Sequence, residues 1–149
     1  MEKVSKVTNT PKKYIRKLDN VGRISVPPKV FDAMEIFENT NVIIFIDKIT
    51  QDIVLKKYDS SCIFCGTKEN TFMLHDLDFY VCKNCNKEDI AIEIVRYRYK
   101  KVQIPKGRRL NIPSNIRKVL NISVGDSVSL FMEDKNTLRI QPVKKQEVS

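Results

Sequence analysis

Four cysteines carry the most specific chemistry in the chain. Cys62 and Cys65 form one C-x-x-C pair and Cys82 and Cys85 a second, with sixteen residues between the pairs. That is the spacing of a four-cysteine zinc ribbon. Each pair can make a tight knuckle that sets two thiolates on one ion. Zinc takes four thiolates tetrahedrally and keeps no open position, so the site reads as structural, with Zn2+ as cofactor, and not as catalytic. Gly66 follows the first knuckle, where left-handed backbone is often required. The intervening "TFMLHDLDFYV" can fold as a hairpin that brings the knuckles together. His75, the only histidine, falls near the hairpin tip and is expected on the surface. Two other uses of the cysteines fit less well. A disulfide pair does not suit a chain without a secretory h-region, and a redox C-x-x-C is not expected twice at ribbon spacing.

The second chemistry is cationic. Net charge is +9 over 149 residues, which points to a polyanion as partner. The charge is unevenly placed: +3 over residues 1–60, −3 over 61–95 and +9 over 96–149. Four thiolates on one zinc ion would add −2 to the middle segment, so that segment suits contact with a protein better than contact with phosphates. Residues 96–109, "RYRYKKVQIPKGRR", hold seven basic side chains in fourteen. Lys100, Lys101, Lys106, Arg108 and Arg109 are expected around a strand–turn–strand, projecting toward one nucleic-acid backbone. Arg117 and Lys118 should sit on a short helix after Pro113. The first half offers Arg16, Lys17 and Arg23, with Lys12 and Lys13 before them. Lysine and arginine neutralise phosphates, and the arginine fork can also pair with guanine. The plainer alternative is a solvated basic strand face. Tyr97 and Tyr99 are expected to pack against the linker.

These side chains must be placed by short elements. "YIRKL" alternates apolar and charged residues and reads as a strand. "DNVG" is a turn, and "RISV" is a strand ended by Pro27, with Pro28 suited to the first turn of a helix. Val30, Phe31, Met34 and Ile36 follow at helical spacing. "NVIIFID" and "IVLKKY", joined by "KITQD", read as a hairpin. The order recurs: "KKVQI", "PKGR", "RLNI", Pro113, "SNIRKVLNI", then "GDSVSLFME" and "TLRIQPV" joined by "DKN". An offset of 86 carries Arg23 onto Arg109, Pro27 onto Pro113, Ile36 onto Ile122 and Phe45 onto Phe131, the signature of an internal duplication. "KEDIAIEIVRYRY", between ribbon and second half, fits a helix or a strand. The fold class is therefore β-rich α+β, with two β-rich units separated by a four-cysteine ribbon. The expected organisation is an arm at 1–12, a first unit at 13–59, ribbon and linker at 60–95, a second unit at 96–145 and a tail at 146–149.

The first half, with its Arg16, Lys17, Asp19, Gly22, Arg23 pattern ended by Val26-Pro27 and followed by the C-x-x-C-G of Cys62–Gly66, resembles the AbrB family of bacterial transition-state regulators. The similarity spans residues 13 to about 95. It implies a swapped-hairpin fold, in which two β-rich units interlace into one small barrel, and DNA contact through Arg16 and Arg23. The family's later basic pair is replaced here by Phe31 and Asp32. The second half keeps Arg109, Arg117 and Lys118 but has Val102 and Gln103 where the first has Arg16 and Lys17. Tandem copies resemble MraZ-type regulators, which lack a ribbon between them. The halves could interlace within one chain or between chains. Homodimer pairing, first half with first half, is the expectation.

The function expected is a DNA-binding transcriptional regulator, cytoplasmic and nucleoid-associated, with double-stranded DNA and further copies of itself as partners. A regulatory protein at the ribbon is a third partner class, and an interaction module acting on a polymerase or regulator an alternative. An antitoxin is another, since MazE-type antitoxins share the swapped hairpin, although only "VKKQEVS" follows the last strand here. No open metal site, Cys–His pair or phosphate-binding glycine loop points to an enzyme.

Overall fold

A computed structural model of the chain describes residues 12–47, 49–73, 80–86 and 99–143. Residues 1–11 of the arm, His75, the linker at 87–98 and the tail lie outside them. The described residues form ten strands and two short helices. In the first half β1 (Tyr14–Lys17), β2 (Arg23–Ser25), α1 (Pro28–Ala33), β3 (Asn41–Ile46) and β4 (Ile53–Lys57) follow in order. The middle contributes β5 (Thr71–Met73) and β6 (Tyr80–Cys82). The second half gives β7 (Tyr99–Gln103), β8 (Arg109–Asn111), α2 (Ser114–Leu120), β9 (Ser127–Asp134) and β10 (Thr137–Pro142).

Local chemistry accounts for the boundaries. Strand β2 stops two residues before Pro27, and Pro28 opens α1, where its missing N–H costs nothing. Helix α2 ends on Asn121 in the left-handed conformation (φ 58°), a conformation asparagine tolerates. Each helix spans fewer than three turns, so neither would persist without the sheet against which it packs.

The halves do not stand side by side. One antiparallel sheet runs β1-β9-β10-β4-β3-β7, and β2 pairs with β8 in a separate two-stranded ribbon. Every strand of the first half pairs with a second-half strand, so the interlacing happens within a single chain. This corrects the expected pairing of first half with first half in another copy: the edges such a pairing would use are taken by β7 to β10. The covalent connection favours this outcome, because it converts an association into an intramolecular closure.

The pairing has an internal two-fold. Carry each residue to its counterpart 86 positions away (Arg23 to Arg109), and the Tyr14–Leu130 pair becomes Lys100–Ile44. The Arg23–Asn111 pair becomes Arg109–Ser25, and past the hairpin turns, where the offset falls to 85, Ile53–Ile140 becomes Leu138–Leu55. All of these are observed. The pseudo-axis passes through the Ile24–Leu110 pair, which is buried at the centre of the core. That core gathers Leu18, Phe31, Ile44, Leu55, Ile112, Ile116, Leu130 and Leu138 among others, drawn from both halves.

Candidate functional sites: a thiol cluster and a basic ribbon

The cysteine cluster forms as the spacing predicts. The Gly66 N–H donates to the Cys62 carbonyl at 2.8 Å and the Cys85 N–H to the Cys82 carbonyl at 3.2 Å, closing one turn at each knuckle. Gly66 has φ +82°, and a Cβ there would lie 2.8 Å from the Asn136 amide, so both backbone and space call for glycine. Strands β5 and β6 pair Thr71 with Cys82 and Met73 with Tyr80, which carries the second knuckle onto the first.

The four sulfurs lie within 4.8 Å of one another, able to hold a metal ion. Cys65 Sγ is 3.8 Å from Cys82 Sγ. A tetrahedral ion with metal–sulfur bonds of about 2.3 Å would set sulfurs about 3.8 Å apart, whereas a disulfide needs about 2.05 Å. Burial pushes the Cys62 thiol up, but the backbone N–H groups of Cys65, Cys82 and Phe64 outweigh it and bring the thiol down to about 7. Burial, followed by the Cys82 and Cys65 thiols, pushes Cys85 up to about 12. Four thiols this close repel as thiolates, and a bound divalent cation is the group that lets them ionise together. The donor set therefore fits a closed, structural metal centre.

The cluster is docked, not free. Cys62, Ile63, Val81 and Cys82 pack with Ile43, Phe45 and Val54 from the outer face of β3–β4, and Tyr58, Phe64 and Tyr99 complete the patch. Tyr99 thus packs on this patch and on β3, opposite Phe45. Lys56 Nζ donates to the Phe64 carbonyl at 3.1 Å.

The β2–β8 ribbon is the second site. Ile24 and Leu110 point into the core, so Arg23, Ser25, Arg109 and Asn111 share the outer face. Arg23 stands opposite Asn111 and Ser25 opposite Arg109, so the two arginines occupy diagonal corners. Asp19 lies between them: its Oδ2 accepts from Arg23 Nε at 2.9 Å and from Arg109 Nη1 at 3.2 Å. Its Oδ1 accepts the backbone N–H groups of Val21 and Arg23, which fixes the turn. Arg16 reaches the same ribbon, with Nε 3.0 Å from the Ser25 carbonyl.

The other expected cations divide. Lys17, Lys106 and Lys118 are exposed. Lys100 lines a groove of about 430 Å³ beside the ribbon with Val102, Gln103, Asn111, Ser114 and Arg117. Val102, which stands at the position matching Arg16, is among the groove's lining residues. Lys101 faces the opposite way, its Nζ 4.4 Å from the centre of the Tyr58 ring. Arg108 folds back, donating from Nη1 to Asp32 at 2.8 Å and to the Ile36 carbonyl at 3.1 Å. Arg117 Nε donates to the Ile112 carbonyl at 2.9 Å, and its guanidinium covers Gly22. The expected single cluster of Lys100, Lys101, Lys106, Arg108 and Arg109 is thus split among a groove, a ring, a turn, an ion pair and the ribbon. Successive strand residues face opposite ways, and a half-buried guanidinium needs partners.

Sequence reasoning missed Asp19, Ser25 and Asn111 as parts of this face. The signal was present: Ser25 and Asn111 each lie two residues after an arginine on a strand.

Interlaced strands around a two-fold, a cationic two-stranded ribbon and a closed thiol cluster define a binding architecture. Residues 109–147 match the family described as "Antidote-toxin recognition MazE, bacterial antitoxin". The match falls on the second half and supports the resemblance to the AbrB-like family of swapped-hairpin proteins. No curated protein matches the chain.

Proposed function

We propose that this protein is a DNA-binding transcriptional regulator of the AbrB superfamily in which one chain supplies both interlaced units. The observation that carries this reading is the ribbon: pairing of β2 with β8 brings Arg23 and Arg109 onto one exposed face. Arg16 and Arg23 are the positions at which the AbrB resemblance implies DNA contact, and Lys17, Lys100, Lys106 and Lys118 would neutralise flanking phosphates. Arg108, Arg117 and Lys101 would act mainly by holding the fold. The four cysteines would bind Zn2+, which would order the middle segment. Homo-oligomers would join chains that are already interlaced, in the cytoplasm and on the nucleoid. A second reading, a DNA-binding antitoxin, is favoured by the MazE match over residues 109–147. Co-purification of a small toxin would support it.

The test is binding of zinc-loaded protein to duplex DNA by fluorescence anisotropy across salt concentrations. A steep loss of affinity with salt is expected. Arg23→Ala and Arg109→Ala should each weaken binding by about 1 to 3 kcal/mol. Two variants that bind like the parent would remove the ribbon from the DNA contact.

A further inference from the structure

The ribbon is symmetric in its arginines and asymmetric in their neighbours. Under the internal two-fold, Arg23 exchanges with Arg109, but Ser25 exchanges with Asn111. Two copies of one chain related by a true two-fold present identical side chains at related positions, and such readers favour palindromic sites. A pseudo-two-fold inside one chain has no such obligation. We propose that the ribbon reads a broken palindrome, with Arg23 and Arg109 selecting matched base pairs on either side of the dyad and Asn111 and Ser25 selecting unmatched ones. The inference rests on the DNA-binding reading above.

The geometry favours this division of labour. The pseudo-axis crosses the ribbon at Ile24–Leu110, so a DNA dyad laid on that axis meets Arg23 and Arg109 at equal distances along the groove. Asp19 contacts both guanidinium groups, through Arg23 Nε and Arg109 Nη1, and limits their freedom. An arginine fork matches the O6 and N7 acceptors of guanine. Asparagine offers one donor and one acceptor, the pattern that matches adenine N6 and N7, whereas a serine hydroxyl distinguishes bases poorly. The surroundings reinforce the difference. The Ser25 carbonyl is taken by Arg16, while Asn111 borders the open groove with Lys100 and Gln103. The two sides of the dyad therefore present different reach and different donors.

The experiment is selection of duplexes from a random library by the zinc-loaded full chain, with sequencing, repeated for Asn111→Ser and Ser25→Asn. Both positions are exposed, so both variants should fold. The parent should enrich a dyad with matched G·C pairs and one unmatched position favouring A on the Asn111 side. Asn111→Ser should erase that preference, with a loss on the order of tenfold for the parental site. Ser25→Asn should add the same preference on the opposite side and make the site a full palindrome. A perfect palindrome selected by the parent, or an unmatched position that neither variant moves, would overturn the inference while leaving DNA binding intact. Enrichment of no duplex would overturn the DNA-binding reading and this inference with it.

Discussion

The two hairpins hold equivalent places in one sheet and face opposite environments. On the first, Ile43, Phe45 and Val54 cover the outer face, and the cysteine unit lies on them. On the second, the same face carries Ser129, Phe131, Arg139 and Gln141. There Arg139 donates to Glu133 at 2.6 Å and pairs with Asp47 at 3.0 Å and Asp52 at 3.3 Å. A shift in register between Thr137 and Leu138 leaves Glu133 out of the ladder, close to that arginine. One half carries an apolar face fitted to a neighbour, and the other a largely polar face closed by its own ion pairs. The same lesson recurs at the turns. Gly22 makes room for Arg117, while its counterpart Arg108, also left-handed at φ 55°, sends its own side chain to Asp32 on the other helix. The cation has changed places across the two-fold, which explains why Phe31 and Asp32 stand where Arg117 and Lys118 stand. Phe31, freed of charge, is fully buried.

Removing the metal should separate the hairpins most. Chelation, or Cys65→Ser, should destabilise the cysteine unit by more than about 3 kcal/mol, because metal binding and folding of so small a unit are one process. Amides of β3 and β4 should lose hydrogen-exchange protection before those of β9 and β10. Equal loss in both hairpins would show that the unit supports the whole sheet. Lower pH should favour metal release, since protons compete for the thiolates.

The next contrast is a pair of equivalent phenylalanines. Phe45 is 7% exposed, under the cysteine unit. Phe131 is half-buried, with the Lys13 ammonium 5.3 Å from its ring centre. Phe45→Ala should cost about 3 kcal/mol and Phe131→Ala about 1 kcal/mol, read from urea midpoints. A reversal would mean that the second face is also covered.

Smaller again is the exchange at the turns. Gly22→Ala should cost about 1 to 2 kcal/mol, from left-handed backbone and crowding of the Arg117 guanidinium. Arg108→Gly relieves the backbone at the matching position but removes the Asp32 contact, so it should lie within about 0.5 kcal/mol of the parent. Thermal unfolding of the two variants side by side checks this.

Much of this was legible in the sequence, and the reasons are physical. The C-x-x-C spacing fixes a knuckle locally, so the thiol cluster could be read before any fold. Pro27, Pro28 and Pro113 set boundaries that no packing could override. Strand β3, "NVIIFI", has almost no alternation because both its faces are buried, and the sequence leaves open what covers the second face. The pairing of the halves was harder, because strand edges carry no label of which chain they belong to. The fate of Arg108 was not readable at all, since its partners Asp32 and Ile36 lie in the other half, and Arg117, although it bonds the nearby Ile112 carbonyl, lies over Gly22 of the other half.

The smallest effect concerns Asp19, whose counterpart is Pro105. The backbone N–H of Arg23 is the strongest influence on its carboxyl. Desolvation opposes it, and the Val21 N–H and the Arg23 guanidinium add to it, so the carboxyl is held down to about 2. The folded value lies below the ordinary 3.8, so the carboxylate's contribution is fully present above about pH 3.8 and is lost as pH falls through about 2. Between pH 5 and 8 it should confer no pH dependence. An NMR titration following the Val21 and Arg23 amides should show a midpoint near 2, and the turn at 105–109 should show no matching transition. A midpoint near the ordinary carboxylate value would mean that the Val21 and Arg23 amides do not hold the carboxylate, and the turn that sets Asp19 beside the two arginines would then be loose.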